Sequence, residues 1–271
     1  MSVANEKLGE ILKEMRKVMI AFSGGVDSTF LLARAKEVLG DKVIAVTAAS
    51  ETFPTREFNL AVQLAEELGV KHIQTSVSEL NNANFVENSP KRCFFCKEGL
   101  YIQLKQIAKQ YDFPYILDGT NKDDVGDYRP GMEATREQGV RSPLLEAGMT
   151  KQEIRDLSKQ MGLKTWDKPT FACLSSRIPY GTKITQKAID QLDIAENLLI
   201  ELGFYQVRVR HHDKIARIEV MPEDFPKILE HHEHIHSELK KVGFQYVTLD
   251  LQGYRTGSMN EILKAGNKNA N

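Results

Sequence analysis

Val18-Met19-Ile20-Ala21-Phe22-Ser23-Gly24-Gly25-Val26-Asp27-Ser28 is the most informative segment of the chain. An apolar run ends at two glycines and an apolar-periodic segment, Thr29 to Leu39, follows, so the stretch predicts strand, tight turn and helix. Glycines let the backbone turn without Cβ clashes. The free N–H groups of a helix start form an anion site that the helix dipole favours, and phosphate is the expected guest. The spacing G-x-x-x-x-G-K-[ST], in which a lysine reaches the β- and γ-phosphates, is missing, so a kinase- or GTPase-type loop fits poorly. On a purely structural reading Asp27 and Ser28 are helix caps.

Working outward, Val43 to Ala48 reads as a strand, Glu57 to Leu68 as a helix stopped by Gly69, and His72 to Val77 as a strand. Lys97 to Gln110 is helical, and Tyr115 to Leu117 is a strand ending at Asp118-Gly119-Thr120-Asn121. Strands alternating with helices predict an α/β fold, a parallel sheet covered on both faces. Ligands of such sheets bind at the carboxyl ends of the strands, so SGGVDS and DGTN are expected to face one crevice. Gly131 to Gly148, with Arg136, Arg141 and the Ser142-Pro143-Leu144 turn, reads as loop, and Lys151 to Met161 as a helix closed by Gly162.

After Thr170 the pattern changes. Helix Thr185–Leu202, strands Gln206–Arg210 and Ile215–Val220, helix Glu223–Val242 and strand Tyr246–Leu251 give the order αββαβ. That order predicts a smaller α+β domain, half-ferredoxin-like, with a boundary near Pro179-Tyr180-Gly181. The expected division is residues 1–178 and 179–271.

The chain has 271 residues, enough for two domains with their own cores, and a net charge of −1 provides no global drive toward nucleic acid or anionic membrane. It contains no apolar run of membrane-spanning length, and its charged amphipathic beginning lacks a signal-peptide core. Three cysteines argue against a disulfide framework and for a reducing compartment, so a cytoplasmic location is expected.

SGGVDS between strand and helix resembles the signature of the PP-loop ATP pyrophosphatases, the adenine nucleotide alpha hydrolase-like fold. The resemblance implies cleavage of ATP between the α- and β-phosphates, giving an adenylated substrate and pyrophosphate. It implies that Asp27 helps hold Mg²⁺ against the pyrophosphate and that Ser23 and Ser28 contact phosphate. The implied ATP site comprises Ala21, Phe22, Ser23, Gly24, Gly25, Asp27 and Ser28, with Ala48 and Thr120.

Cys93-Phe94-Phe95-Cys96 precedes a helical stretch, where the dipole favours thiolate, and Cys173 lies in Phe171-Ala172-Cys173-Leu174-Ser175-Ser176-Arg177. A lone CxxC is weak evidence, since it can be a redox pair, half a zinc site or two buried small residues. Three thiolates can hold three irons of a [4Fe–4S] cluster and leave the fourth open for an exogenous sulfide, a device for sulfur delivery beside an ATP-activated carbon. A persulfide or redox pair acting with Cys173 is the alternative, and inert cysteines the plain one.

Further motifs extend the resemblance across most of the chain: Asp127-Tyr128-Arg129-Pro130-Gly131, Ser175-Ser176-Arg177-Ile178-Pro179-Tyr180-Gly181, Val207-Arg208-Val209-Arg210 and Tyr246-Val247-Thr248-Leu249-Asp250. With SGGVDS they resemble the LarE-type sulfur transferases, which build the nickel-pincer nucleotide cofactor of lactate racemase. The resemblance implies a nicotinate-derived substrate, pyridinium-3,5-biscarboxylic acid mononucleotide, whose ring carboxylate is adenylated and converted to a thiocarboxylate. In single-cysteine members the cysteine matching Cys173 gives up its own sulfur. Cys93 and Cys96 depart from that pattern and resemble the three-cysteine, iron–sulfur members, which need a sulfur donor but not their own destruction. Relatives are often oligomeric, so a homo-oligomer is expected.

Arg208 and Arg210, two apart on a strand, share a face and can fork a nucleotide phosphate, with Ser176 and Arg177 contacting the same group. The plain reading makes both arginines a solvated strand face. Asp123, Asp124 and Asp127 offer carboxylates for Mg²⁺ or form a solvated loop. His232 and His236 are i, i+4 beside His231 and His234, yet no partner of fixed spacing accompanies them. Rival functions are a tRNA thiolase, disfavoured by the near-neutral charge and single CxxC, an ammonia-using PP-loop enzyme, and a non-catalytic nucleotide sensor.

Overall fold

The computed structural model describes residues 2–125, 130–255 and 257–258. The chain divides into two compact units, one formed by residues up to Phe85 with Pro90–Phe171, the other by Val86–Ser89 with the residues from Ala172 onward.

The first unit contains α1 (Val3–Met15), β1 (Val18–Ala21), α2 (Val26–Leu39), β2 (Val43–Ala49), α3 (Thr55–Glu67) and β3 (Lys71–Ser76), then α4 (Ala83–Val86) at the crossing between units. It continues with α5 (Arg92–Gln110), β4 (Tyr115–Leu117), α6 (Pro130–Glu137), α7 (Pro143–Glu146) and α8 (Lys151–Gln160). Its four strands form a parallel sheet in the order β3-β2-β1-β4, with Ile20 opposite Ala45 on one side and Leu117 on the other. Successive strand side chains point to opposite faces. Val18, Ile20, Val43, Ala45 and Leu117 join the core under α1, α2, α3 and α8, whereas Met19, Ile44, Val46 and Ile116 pack on Tyr101, Leu104 and Ile107 of α5. Both faces are covered, which is why these strands read as continuous apolar runs. Among the described residues no helix is long and apolar enough to cross a membrane.

The stretch Gly131–Gly148, expected as loop, is instead largely helical. Pro130 and Pro143 open α6 and α7 at the first helical position, where a missing N–H costs nothing. Gly139 and Gly148 lie just beyond their ends with φ of 65° and 76°.

The second unit contains α9 (Gln186–Glu201), β5 (Val207–His212), β6 (Ile215–Val220), α10 (Phe225–Glu230), α11 (His232–Val242) and β7 (Tyr246–Leu249). Its sheet has the order β5-β6-β7, antiparallel then parallel. The single helix expected over Glu223–Val242 is broken at His231. The ring of His232 engages the Leu229 carbonyl at 2.7 Å, the acceptor that a continuous helix would offer to the Glu233 N–H. The junction of the units falls at Phe171/Ala172, ahead of the Pro179-Tyr180-Gly181 turn. Val86–Ser89 belongs to the second unit through Asn88, whose Nδ2 donates to the carbonyls of Ile178, Pro179 and Thr182.

Candidate functional site

The glycine turn, the candidate anion loop, lies at the carboxyl end of β1. Phe22 N–H still pairs with Val46, after which the chain leaves the sheet and α2 begins at Val26, with Gly25 as an N-cap that offers no side-chain cap. The helix thus begins before Thr29, and Asp27 and Ser28 occupy its first turn instead of capping it. Ser23 and Ser28 hydroxyls face each other at 3.2 Å, and Ser28 Oγ donates to the Gly25 carbonyl. Gly24 has φ of 67°, and a Cβ there would lie 3.1 Å from Ala61 of α3, so glycine is required twice over. Ala21 lies opposite Val46 within the sheet, and Ala48 pairs with Thr75 near the same carboxyl ends.

The DGTN segment reaches this loop, as expected from the strand ends. A Cβ on Gly119 would stand 3.0 Å from the Ser28 nitrogen and 3.3 Å from Asp27 Cβ, and Asn121 Nδ2 donates to Asp27 Oδ1 at 3.3 Å. Lys151, the first residue of α8, pairs with the other oxygen of Asp27. Asp123 accepts from the Lys151 N–H at 2.7 Å, and Asp124 closes the turn by accepting from Asn121 N–H at 3.0 Å. Both carboxylates therefore build the turn and the start of α8, while Asp27, in the first turn of α2, is met by Asn121 and Lys151. Asp127 lies outside the described residues.

Asp118 anchors the end of β4. Its buried carboxylate accepts from Tyr101 at 3.0 Å, Lys97 at 3.2 Å, Ser142 at 2.7 Å and both the N–H and hydroxyl of Thr120. Burial pushes the carboxyl up, but the Lys97 ammonium and these donors outweigh it and hold it below the usual carboxylate range. Lys97 is correspondingly held above the ordinary ammonium range, burial opposing and Asp118 prevailing. Burial and the Asp118 charge raise Tyr101. Beside Thr120 lies a cleft of about 270 Å³ lined by Met132, Thr135, Arg136, Arg141 and Leu145 among others.

Lys97 stands on the helix that carries the CxxC. Cys93 and Cys96 lie within the first turns of α5 rather than ahead of it, at i, i+3 on one side, Cys93 exposed and Cys96 partly so. None of the three cysteines is joined in a disulfide. Among the described residues no three His, Cys, Asp or Glu side chains converge as a metal site, and His232, His234 and His236 are exposed.

In the second unit Cys173 heads a 3-10 turn, Leu174–Arg177, and its Sγ lies 3.0 Å from Ser175 Oγ. The turn is held from inside. Arg177, fully buried, forms a bidentate pair with Glu196 of α9, both contacts at 2.9 Å, and its Nη1 donates to the carbonyls of Ala172 and Cys173 and to Ser176 Oγ. Glu196 Oε1 also accepts from Val209 N–H at 3.0 Å. Burial pushes Arg177 down and Glu196 up, and their mutual attraction more than reverses both shifts. Arg210 donates to the Ser176 carbonyl at 3.2 Å and pairs with Glu219 at 2.7 Å. Arg208, whose guanidinium lies 5.3 Å from the Tyr254 ring centre, is pulled below the ordinary range by burial and by the like charge of Arg177. Arg208 and Arg210 are both buried, as are Val207 and Val209, so β5 has no solvated arginine face.

Sequence reasoning missed Lys97 and Lys151, and read Asp118 only as part of the DGTN segment. The one available signal was Lys151: an ammonium at a helix start opposes the helix dipole and requires a carboxylate from elsewhere.

Residues 9–101 match the family described as asparagine synthase. The chain is 43% identical over 253 residues to the pyridinium-3,5-bisthiocarboxylic acid mononucleotide synthase of Lactiplantibacillus plantarum, covering 93% of this chain and 92% of that protein. It is 40% identical over 260 residues to an uncharacterised protein of Synechocystis, covering 95% and 97%. A more distant likeness, 27% over 180 residues, is to one component of the glutamine-hydrolysing GMP synthase of Saccharolobus solfataricus, 58% of this chain and 48% of that one.

Proposed function

Because the chain belongs to the LarE-type sulfur transferases of the PP-loop superfamily, we propose that it adenylates a ring carboxylate of pyridinium-3,5-biscarboxylic acid mononucleotide with ATP and exchanges AMP for sulfur. The observation that carries this reading is the convergence of Asp27, Gly119 and Asn121 on the anion loop, in a chain matched to its relative through both units.

The carboxylate oxygen attacks the α-phosphorus of ATP, pyrophosphate leaves, and the acyl adenylate forms. A sulfide equivalent then adds at the carbonyl carbon and AMP departs, giving the thiocarboxylate. The anion loop N–H groups and the α2 dipole stabilise the leaving pyrophosphate. Mg²⁺ suits Asp27, since this ion is commonly held by one or two carboxylates together with substrate phosphates. Lys151 neutralises Asp27 until the metal arrives.

Arg208, Arg210 and Ser176 are read as holding the substrate's phosphate. A dianion would relieve the repulsion that Arg208 feels from Arg177. Arg177 is committed to Glu196 and to the Cys173 carbonyl, so its part is to fix the cysteine turn.

The thiols fit an iron–sulfur centre by donor type, none being tied up in a disulfide and two standing at i, i+3 on one helix. Cys93, Cys96 and Cys173 would hold a [4Fe–4S] cluster, which when bound supplies the sulfide equivalent. Such thiols require a reducing compartment, in keeping with a cytoplasmic enzyme. Iron and sulfide analysis of protein purified without oxygen tests this directly. About four irons per chain, lost in Cys93→Ala, supports it. No iron, with a chain lighter by H₂S after one turnover, makes Cys173 a sacrificial donor instead.

A further inference from the structure

We propose that Lys168 is a positioning residue that clamps the Gly24–Gly25 peptide of the anion loop so that its N–H faces the nucleotide phosphate; this rests on the ATP reading above. Lys168 Nζ donates to the Gly24 carbonyl at 3.0 Å and to Glu57 Oε2 at 2.6 Å. In a trans peptide the C=O and the following N–H point in opposite directions. Holding the Gly24 oxygen on one side therefore turns the Gly25 N–H to the other, toward the loop's own Ser23, whose Oγ it meets at a long 3.4 Å.

A clamp is needed because this peptide lies between two glycines. Without Cβ groups on either side, little in the local backbone opposes a flip that would bring the carbonyl oxygen into the anion site, where it repels phosphate. The clamp itself is rigid. Glu57 sits in the first turn of α3, where the dipole favours a carboxylate, and the Lys168 and Glu57 side chains are only 14% and 8% exposed. Arg155 of α8 pins the segment by donating to the carbonyls of Trp166 at 2.7 Å and Lys168 at 2.9 Å. Phe171 of the same segment lies 3.9 Å from the position a Gly25 Cβ would occupy. With its charge met by Glu57 and two donors in use, the ammonium acts on phosphate through the loop and not by contact.

The test is calorimetric binding of MgATP, inorganic pyrophosphate and adenosine to the full chain and to Lys168→Met, Lys168→Arg and Glu57→Gln. The clamp predicts that Lys168→Met weakens ATP and pyrophosphate by about tenfold or more, the scale of a charged hydrogen bond, and leaves adenosine unchanged. Lys168→Arg restores most of the loss, and Glu57→Gln weakens ATP in the same sense. Unchanged ATP affinity in Lys168→Met overturns the proposal, as does a parallel loss of adenosine, which marks a merely structural role. Tighter ATP binding in Glu57→Gln also overturns it, since that result means direct phosphate contact by a freed lysine. Failure of the wild-type chain to bind ATP strikes at the parent reading instead.

Discussion

Arg177 and Glu196 form a bidentate pair inside the C-terminal unit, with both contacts at 2.9 Å and neither side chain more than 1% exposed, and the same guanidinium holds the Cys173 carbonyl at 3.0 Å. The turn that carries Cys173 is thus set from the core. Removing one member of a buried ion pair leaves an uncompensated charge and costs about 3–5 kcal/mol. Glu196→Gln should lose roughly that much in urea unfolding and lose thiocarboxylate formation, while MgATP still binds the anion loop. A variant of wild-type stability and full sulfur transfer would show that the pair does not organise the turn.

Asp27 is assigned to Mg²⁺ and pyrophosphate. Asp27→Asn should lower pyrophosphate release by about 100-fold or more, the order expected when a preorganised charge contact at the transferring phosphates is removed. Lys151 loses its ionic partner but is 28% exposed and can be solvated, so the variant should keep its fold while its residual release loses Mg²⁺ dependence. Undiminished release would remove this aspartate from the reaction.

Gly119→Ala probes the contact between the DGTN segment and α2. The added methyl meets the Ser28 nitrogen at 3.0 Å and the Asp27 backbone carbon at 3.3 Å, both parts of a helix that cannot yield. Overpacking of this kind costs about 1–3 kcal/mol, and the segment should move away from the loop. ATP affinity should fall while thermal unfolding remains cooperative; ATP binding equal to wild type would mean that the close approach is incidental.

Acid should destabilise the chain before its carboxylates titrate. Burial holds His72, His211 and His212 below the ordinary imidazole value of 6.5, with Arg217 adding to the effect at His212. Below that value the unfolded chain binds more protons than the native one, so stability present above it is lost as pH falls through the depressed values. Asp118 and Glu196, also held below their ordinary values, extend the loss at lower pH. Melting temperature should therefore fall between about pH 7.5 and about pH 5.5, and a flat profile across that window would contradict these burial shifts.

Much of the first unit is legible in the sequence because its signals are local. An apolar run into Gly24-Gly25 defines β1 and the anion loop, and the end of Tyr115–Leu117 brings DGTN to the same sheet edge. The helices of Pro130–Glu137 and Pro143–Glu146 escaped because their prolines and glycines, read as loop punctuation, stand at helix starts and ends where those residues are tolerated. The break at His231 depends on a side chain capturing a carbonyl, which periodicity does not encode. At the site, residues within a motif were readable, whereas Lys168 with Glu57 and Lys97 with Asp118 pair across long sequence separations that no spacing rule reaches. Arg177 was read from the sequence as a phosphate contact, and its commitment to Glu196 became visible only in the packed unit.

Adenylation followed by sulfur insertion is tested by one assay: the chain, MgATP and pyridinium-3,5-biscarboxylic acid mononucleotide, incubated without oxygen, with pyrophosphate quantified and the nucleotide product weighed by mass spectrometry. One pyrophosphate is expected for each carboxylate oxygen replaced by sulfur, and none when the biscarboxylate is omitted. Bound ATP with no pyrophosphate, or pyrophosphate with a product that gains no sulfur, would contradict it.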